Sequence, residues 1–207
     1  MFAVVLLCLL RSAGVDWSYV VSNSMSPSIH VGDCVVINKA AYSLRLPFSS
    51  WQPTPWSQPQ RGDIVVLHAP DDGERLVKRV IGLPGDRIEI RDNTLVINGE
   101  LMTIDSLPNG NSAGYGEYRV ASERLGERTH DVVLCADRPA LRSLAPLVVP
   151  GGQYFVLGDN RDESVDSRVF GMVAADQIIG RVIGVTFAFD PTKHFAPIWA
   201  RCFRRVT

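Results

Sequence analysis

The sequence predicts a mostly β protein, and three observations carry that prediction. Short β-branched runs such as "CVVI", "DIVVL", "TLVI", "DVVL" and "YFVL" recur along the chain. Gly-, Pro- and Asp-containing turn signals separate them. Helical periodicity is weak beyond the N-terminal segment. Many short strands joined by such turns are the pattern of an all-β architecture.

The elements follow in order. "FAVVLLCLL", Phe2 to Leu10, is wholly apolar and is followed by Arg11. Nine helical residues reach only about 14 Å, against about 30 Å of bilayer hydrocarbon. As a signal-peptide core the run lacks a preceding basic region, and "RSAGVDW" is a poor cleavage site; a buried core helix and the end of a longer membrane helix are the alternatives. Trp17 and Tyr19 follow at a distance suited to interfacial aromatics. That spacing favours a membrane stub over residues 1–17. Next, "CVVINKAA" follows the turn Gly32-Asp33, and "DIVVLHAP" repeats the arrangement after Gly62. "RLVKRVIGLPGDRIEI" places two strands around a turn, and "TLVINGELM" reads as a hairpin whose Asn98-Gly99 suits a type I′ turn. "HDVVLCA", "QYFVLGD" and "IIGRVIGVTFAFD" extend the pattern, and a short helix fits "DESVDSRVFG". "LRLPFSSWQPTPWSQPQRGD" and "IDSLPNGNSAGYGEY" read as loops, the first carrying Phe48, Trp51 and Trp56. The expected architecture is an antiparallel β-sheet core from about 18–90 and 150–190, with a smaller β-rich insertion at 91–150. Residues 18–207 form the main domain.

Composition excludes some classes. The 207 residues are 46% hydrophobic and carry a net charge of −1. Nothing there favours nucleic-acid binding. The four cysteines, 8, 34, 135 and 202, have no metal-site spacing. A Cys135–Cys202 disulfide is open as an alternative to free thiols.

Three stretches carry chemistry. "SNSMSPSIHVGD", from Ser22, holds four serines. A serine needs a base to become nucleophilic at neutral pH. None of His30, His68, His130 and His194 lies in a nucleophile-elbow context, and no lysine has a serine three residues before it. Lys78, in "RLVKRV", sits in an apolar strand, where burial lowers an amine's pKa toward neutrality. From that stretch alone, a lysine snorkelling from a strand edge fits better. "GDNRDESVDSRVFG", residues 158–171, has alternating charge. As a calcium loop it fails, with Arg161 at position 3, Ser164 at the turn glycine and Phe170 at position 12. An internal ion-pair network that fixes a loop fits better.

Taken in order, "SNSMSPS", "RGDIVVL…VKRVIGLPGD" and "GDNRDESVDSRVFG" resemble the sequence boxes of bacterial type I signal peptidases, from about Arg11 to Asp190. The resemblance implies a membrane-anchored serine–lysine endopeptidase that needs neither metal nor cofactor. It gives Ser24 the role of nucleophile and Lys78 that of general base. Ser22 matches the serine whose hydroxyl joins the Ser24 backbone N–H in the oxyanion hole. Ser164 matches the serine that orients the lysine amine. Asp159, Asp166 and Arg168 match residues that support the site through ion pairs. Val20, Met25, Ile29 and Val77 correspond to shallow pockets for small side chains. The implied partners are signal peptides of translocated preproteins, cut after an Ala-x-Ala-like site, and membrane lipid. The implied location is the outer, periplasmic side of the bacterial cytoplasmic membrane.

Two positions depart from the family pattern. Glu163 stands where Asn is frequent and is expected to face solvent, and Ser28 stands where Thr is frequent. The tail "WARCFRR" reads as a frayed terminus, with contact to anionic lipid as the alternative. Two rival functions are a relative that matures a conjugation or pilus component and a silent signal-sequence binder; the latter predicts a damaged dyad. Self-cleaving repressors of the SOS response share the fold but add a DNA-binding domain.

Overall fold

A computed structural model describes residues 14–43, 56–106 and 118–206. The apolar run Phe2–Leu10, Phe48 and Trp51 lie outside the described residues. The chain forms strands β1 (Val15–Tyr19), β2 (Asp33–Asn38), β3 (Ile64–His68), β4 (Arg75–Gly82), β5 (Arg87–Arg91), β6 (Thr94–Ile97), β7 (Glu100–Leu101) and β8 (Ile104–Ser106). It continues with β9 (Tyr118–Leu125), β10 (Arg128–Cys135), β11 (Leu144–Val148), β12 (Gln153–Leu157), β13 (Val173–Ala174), β14 (Ile178–Asp190), β15 (Ala196–Pro197) and β16 (Arg204–Arg205). The mostly β expectation holds. The helix expected around residues 162–171 is a single α-helical stretch, α1 (Ser167–Phe170), preceded by a 3-10 turn at Arg161–Glu163. Among the described residues no helix is long and apolar enough to cross a membrane.

The main sheet runs β1-β2-β14-β3-β4-β12-β13, with β15 and β16 pairing on β14. β14 joins two halves: its Arg181 pairs with Asn38 of β2 on one side and Val65 of β3 on the other. Burial follows from this order. β2, nearer the edge, alternates strictly between buried and half-buried residues. β3, in the interior, is buried from Ile64 through Leu67, as expected of a strand covered on both faces. β1 starts at Val15 and pairs with β2 along its length, so the sheet takes in residues that the 1–17 stub had claimed.

Segment 91–150 builds most of two smaller sheets, β10-β9-β8 and β11-β5-β6-β7, the second sharing β5 with the preceding chain. In the β6–β7 hairpin, Asn98 and Gly99 take φ of 54° and 85°. Positive φ at both positions is the type I′ requirement. Cys34, Cys135 and Cys202 are free thiols, so no 135–202 disulfide forms. The tail is not frayed: Arg204 and Arg205 pair with Val185 and Gly184 of β14.

Candidate active site

Lys78 lies in the middle of β4, opposite Val65 of β3. Side chains on a strand alternate between faces. Leu76 and Val80, two residues to either side, pack into the apolar cluster of Val65, Leu67 and Val156. Val77 turns the other way, into the cluster containing Val20, Met25 and Ile29. Lys78 is thus walled by hydrocarbon and is only 2% exposed. Burial pulls its amine from the ordinary 10.5 down to about 8, with the carboxylates of Asp166 and Asp159 working against the fall. A substantial fraction is therefore neutral near pH 8, where a free lysine is almost wholly charged.

Its Nζ lies 2.9 Å from Ser24 Oγ, although 54 residues separate the two. Ser24 is held from both sides. Its carbonyl accepts from the Asn160 N–H at 3.1 Å. Its N–H donates weakly to Ser22 Oγ at 3.3 Å, and the Ser22 hydroxyl in turn donates to Ser24 Oγ at 3.0 Å. Ser22 Oγ therefore sits beside the Ser24 N–H and accepts from it, while its own proton points to Ser24 Oγ.

Ser164 follows the 3-10 turn. Its Oγ is buried and has no hydrogen-bond partner among the described residues. A Cβ built on Gly158 would fall 2.3 Å from that Oγ and 2.5 Å from the Ser24 carbonyl oxygen. Glycine at 158 is thus what lets the Ser164 hydroxyl and the Ser24 segment close on the same spot. The lysine amine bonds Ser24, while Ser164 supplies a buried hydroxyl without a bond to it. Val20, Met25, Ile29 and Val77 form a single cluster; the first three are buried and Val77 is half-exposed.

The charged residues separate into layers. Asp166 caps α1 and grips Arg168 through two bonds of 2.8 Å, while its Oδ2 accepts from the Gly158 N–H at 3.1 Å. Asp159 takes both Nε and Nη2 of Arg79, each at 2.8 Å. Burial opposes ionisation of Asp159, and the Arg79 guanidinium more than offsets it, so the carboxyl stays below its usual range. Arg79 also donates to the Gly62 carbonyl and to Ser28 Oγ, which ties together all three sequence boxes. Behind this pair lies a second, fully buried one. Arg161 holds Glu123 of β9 with both of its terminal nitrogens. His130 Nε2 faces Glu123 at 3.4 Å and Asp159 at 3.8 Å. Burial, reinforced by the Arg79 charge, pulls His130 down to about 3 and keeps it neutral.

Arg79, Arg161, Glu123 and His130 were missed from the sequence. Arg79 carried a signal, since it follows the lysine directly and faces away from it. Glu123 carried none, because its partner lies 38 residues downstream. Glu163 departs from expectation: it is half-buried, accepting from Tyr118 Oη at 2.8 Å and pairing with Arg138 at 3.0 Å. Position 163 is a tie to the insertion rather than a solvated site. Among the described residues no cluster of His, Cys, Asp or Glu has metal-ligand geometry.

The family model for signal peptidase, peptidase S26, matches residues 1–187. A signal peptidase I from Pseudomonas aeruginosa is 34% identical over 205 residues, covering 93% of this chain and 72% of that one. A signal peptidase IB from Staphylococcus aureus is 32% identical over 171 residues, covering 83% and 77%. A crystal structure of a signal peptidase I from Enterococcus faecalis V583 is 38% identical over 60% of this chain and 97% of its own, with a TM-score of 0.40. On the extent of the family match and the identity to these curated relatives, the chain belongs to the signal peptidase family, peptidase S26, and is a serine peptidase of that family.

Proposed function

We propose that the chain is a membrane-associated endopeptidase that removes N-terminal signal peptides from translocated preproteins, with Ser24 as nucleophile and Lys78 as general base. The observation that carries this reading is the 2.9 Å separation between a serine hydroxyl and a lysine amine that burial has brought to about 8. With the amine neutral, the Ser24 hydroxyl donates to the Nζ lone pair. Lys78 takes that proton as Oγ attacks the scissile carbonyl carbon. The Ser24 N–H, with a Ser22 hydroxyl turned away from Oγ, receives the developing oxyanion, an interaction worth about 3 kcal/mol per donor. The resulting ammonium returns its proton to the leaving amine, giving an acyl-enzyme and a free mature N-terminus. Lys78 then accepts a proton from water as the water oxygen attacks the ester carbon, and returns that proton to the departing Ser24 Oγ, which releases the signal peptide and restores the dyad. Asp159, Asp166 and Arg168 hold the loop behind the dyad, and Ser164 orients the amine once it leaves Ser24.

The substrate would lie extended beside Ser24 and cover its upstream side chains with the Val20–Val77 edge of the apolar cluster. Shallow apolar lining there suits small residues and an Ala-x-Ala-like site. The apolar run Phe2–Leu10 supports attachment to the bacterial cytoplasmic membrane, and a translocated substrate requires the catalytic domain on the outer face. The test is cleavage of an Ala-x-Ala preprotein in detergent by wild type and by Lys78→Ala. Release of the mature product by wild type alone supports the dyad and the substrate class. Equal cleavage by the variant removes Lys78 as the base.

A further inference from the structure

We infer that Glu163 is a positioning residue for the oxyanion donor: through Asn160 it fixes the peptide plane that carries the Ser24 N–H. This inference rests on the Ser24–Lys78 reading above and deepens it. The chain of contacts starts in the insertion. Glu163 Oε1 accepts from Tyr118 Oη at 2.8 Å and from Arg138 at 3.0 Å. Tyr118 is buried, whereas the Arg138 side chain is more than half exposed. The tyrosine hydroxyl therefore gives the firmer hold. The second carboxylate oxygen, Oε2, accepts from Asn160 Nδ2 at 3.2 Å. Asn160 is itself buried, and the same Nδ2 donates to the Asn23 carbonyl at 3.4 Å.

That carbonyl belongs to the peptide unit whose N–H is the Ser24 N–H. A trans peptide is planar, with its C=O and N–H pointing in opposite directions. Whatever aims the Asn23 oxygen therefore also aims the Ser24 hydrogen. Two donors hold the oxygen. The Ser26 N–H donates to it at 3.0 Å, but this bond closes the serine loop on itself and moves with the loop. Asn160 reaches it from another element, and the Asn160 N–H holds the next carbonyl, that of Ser24, at 3.1 Å. The Asn160 amide has no grip on its acceptor side. Its Oδ1 is buried and lacks a hydrogen-bond partner among the described residues. Its orientation thus depends on what Nδ2 meets, and both neighbours, the Glu163 carboxylate and the Asn23 carbonyl, are acceptors. A flipped amide would set Oδ1 against both. Without the carboxylate, only the 3.4 Å contact would oppose that flip, and it is at the long end for a hydrogen bond.

The experiment compares kcat and KM of the full chain in detergent, on a peptide with an Ala-x-Ala site. The variants are Glu163→Ala, Glu163→Gln, Asn160→Ala and the double variant Glu163→Ala/Asn160→Ala. Removing an oxyanion donor outright costs about 100- to 1,000-fold in kcat, and loosening its aim should cost part of that, about 10-fold. Glu163→Ala should therefore lower kcat about 10-fold and leave KM within about twofold. The pH midpoint of kcat/KM should stay at the wild-type value, because Lys78 is untouched. Glu163→Gln keeps an oxygen for Asn160 and turns its amide nitrogen to Tyr118 Oη, so kcat should return to within about threefold of wild type. In the Asn160→Ala background Glu163→Ala should have no further effect, because the relay is already cut. Wild-type kcat in Glu163→Ala, equal losses in the Ala and Gln variants, or independent losses in the double variant each overturn the inference. If Glu163→Ala fails to fold by circular dichroism, Tyr118→Phe carries the test: it removes only the donor to Glu163 and should lower kcat about threefold, and an unchanged kcat overturns the inference. Failure of the parent reading looks different. No cleavage by wild type, or equal cleavage by Lys78→Ala, removes the dyad and the donor's role with it, whatever position 163 does.

Discussion

Replacing Lys78 with methionine should stabilise the fold at neutral pH while abolishing proteolysis. Methionine is unbranched, similar in length and apolar, and it would fill the place between Leu76 and Val80. The gain comes from the ammonium group. Lowering the amine from 10.5 to about 8 means that the folded state disfavours the charged form by about 3 kcal/mol. The folded protein binds this proton less tightly than the unfolded chain does. Below pH 8 both states are protonated and wild type carries the whole penalty. As pH rises from 8 toward 10.5 the folded state loses its proton first and the penalty fades. The difference in unfolding free energy between Lys78→Met and wild type should thus be about 3 kcal/mol in the variant's favour at pH 6.5, and about 1 kcal/mol by pH 10. Any constant packing difference cancels when the two pH values are compared. Urea unfolding followed by tryptophan fluorescence at both pH values measures it. A difference that does not change with pH would refute the reasoning, because the ammonium would then suffer no penalty and Lys78 would be no better a base than a surface lysine.

Other perturbations have defined outcomes. The pH profile of kcat/KM should rise through an apparent pKa of about 8 as Lys78 loses its proton, measured with a peptide substrate in detergent. Removing one member of the buried Glu123–Arg161 pair by Glu123→Gln should cost about 3–5 kcal/mol, whereas the double replacement Glu123→Leu/Arg161→Met should recover most of it; denaturant titration distinguishes them. Gly158→Ala should reduce kcat by about 100-fold or more with the domain still folded by circular dichroism, because its Cβ would displace Ser164 and the Ser24 carbonyl together.

The parts of this arrangement that were legible in the sequence are those with local causes. The Asn98-Gly99 turn announces its hairpin because the required φ angles belong to those two residues. The β-branched runs announce β2, β3, β12 and β14 for a similar reason. Strand alternation sets Lys78 on the face opposite Val77 and Arg79, but a period of two says nothing of what each face will meet. The 2.9 Å contact with Ser24 depends on strand order; the resemblance of the three boxes suggested it, and periodicity did not. Arg79–Asp159 and Glu123–Arg161 were hidden because a buried ion pair is complementary across space, and a single charged letter in the sequence looks the same whether it meets water or a partner. The fate of the tail was hidden likewise: two adjacent arginines read as solvated, yet their backbones complete pairing along β14.

The position of β14 has a consequence for biogenesis. β1 and β2, which lead into and out of the Ser24 loop, touch the rest of the main sheet through β14, and so do β3 and β4, which bring Lys78. The strand that splices these halves begins at Ile178, after Arg168, the last of the site residues to be made. A nascent chain stopped before it holds the nucleophile on one hairpin and its base on another, with no ladder between them. A growing chain should therefore stay inert after both Ser24 and Lys78 have been made, and acquire its cutting power only once β14 has followed them. Strand order in this way acts as a timing device, withholding a peptidase from its own unfinished chain.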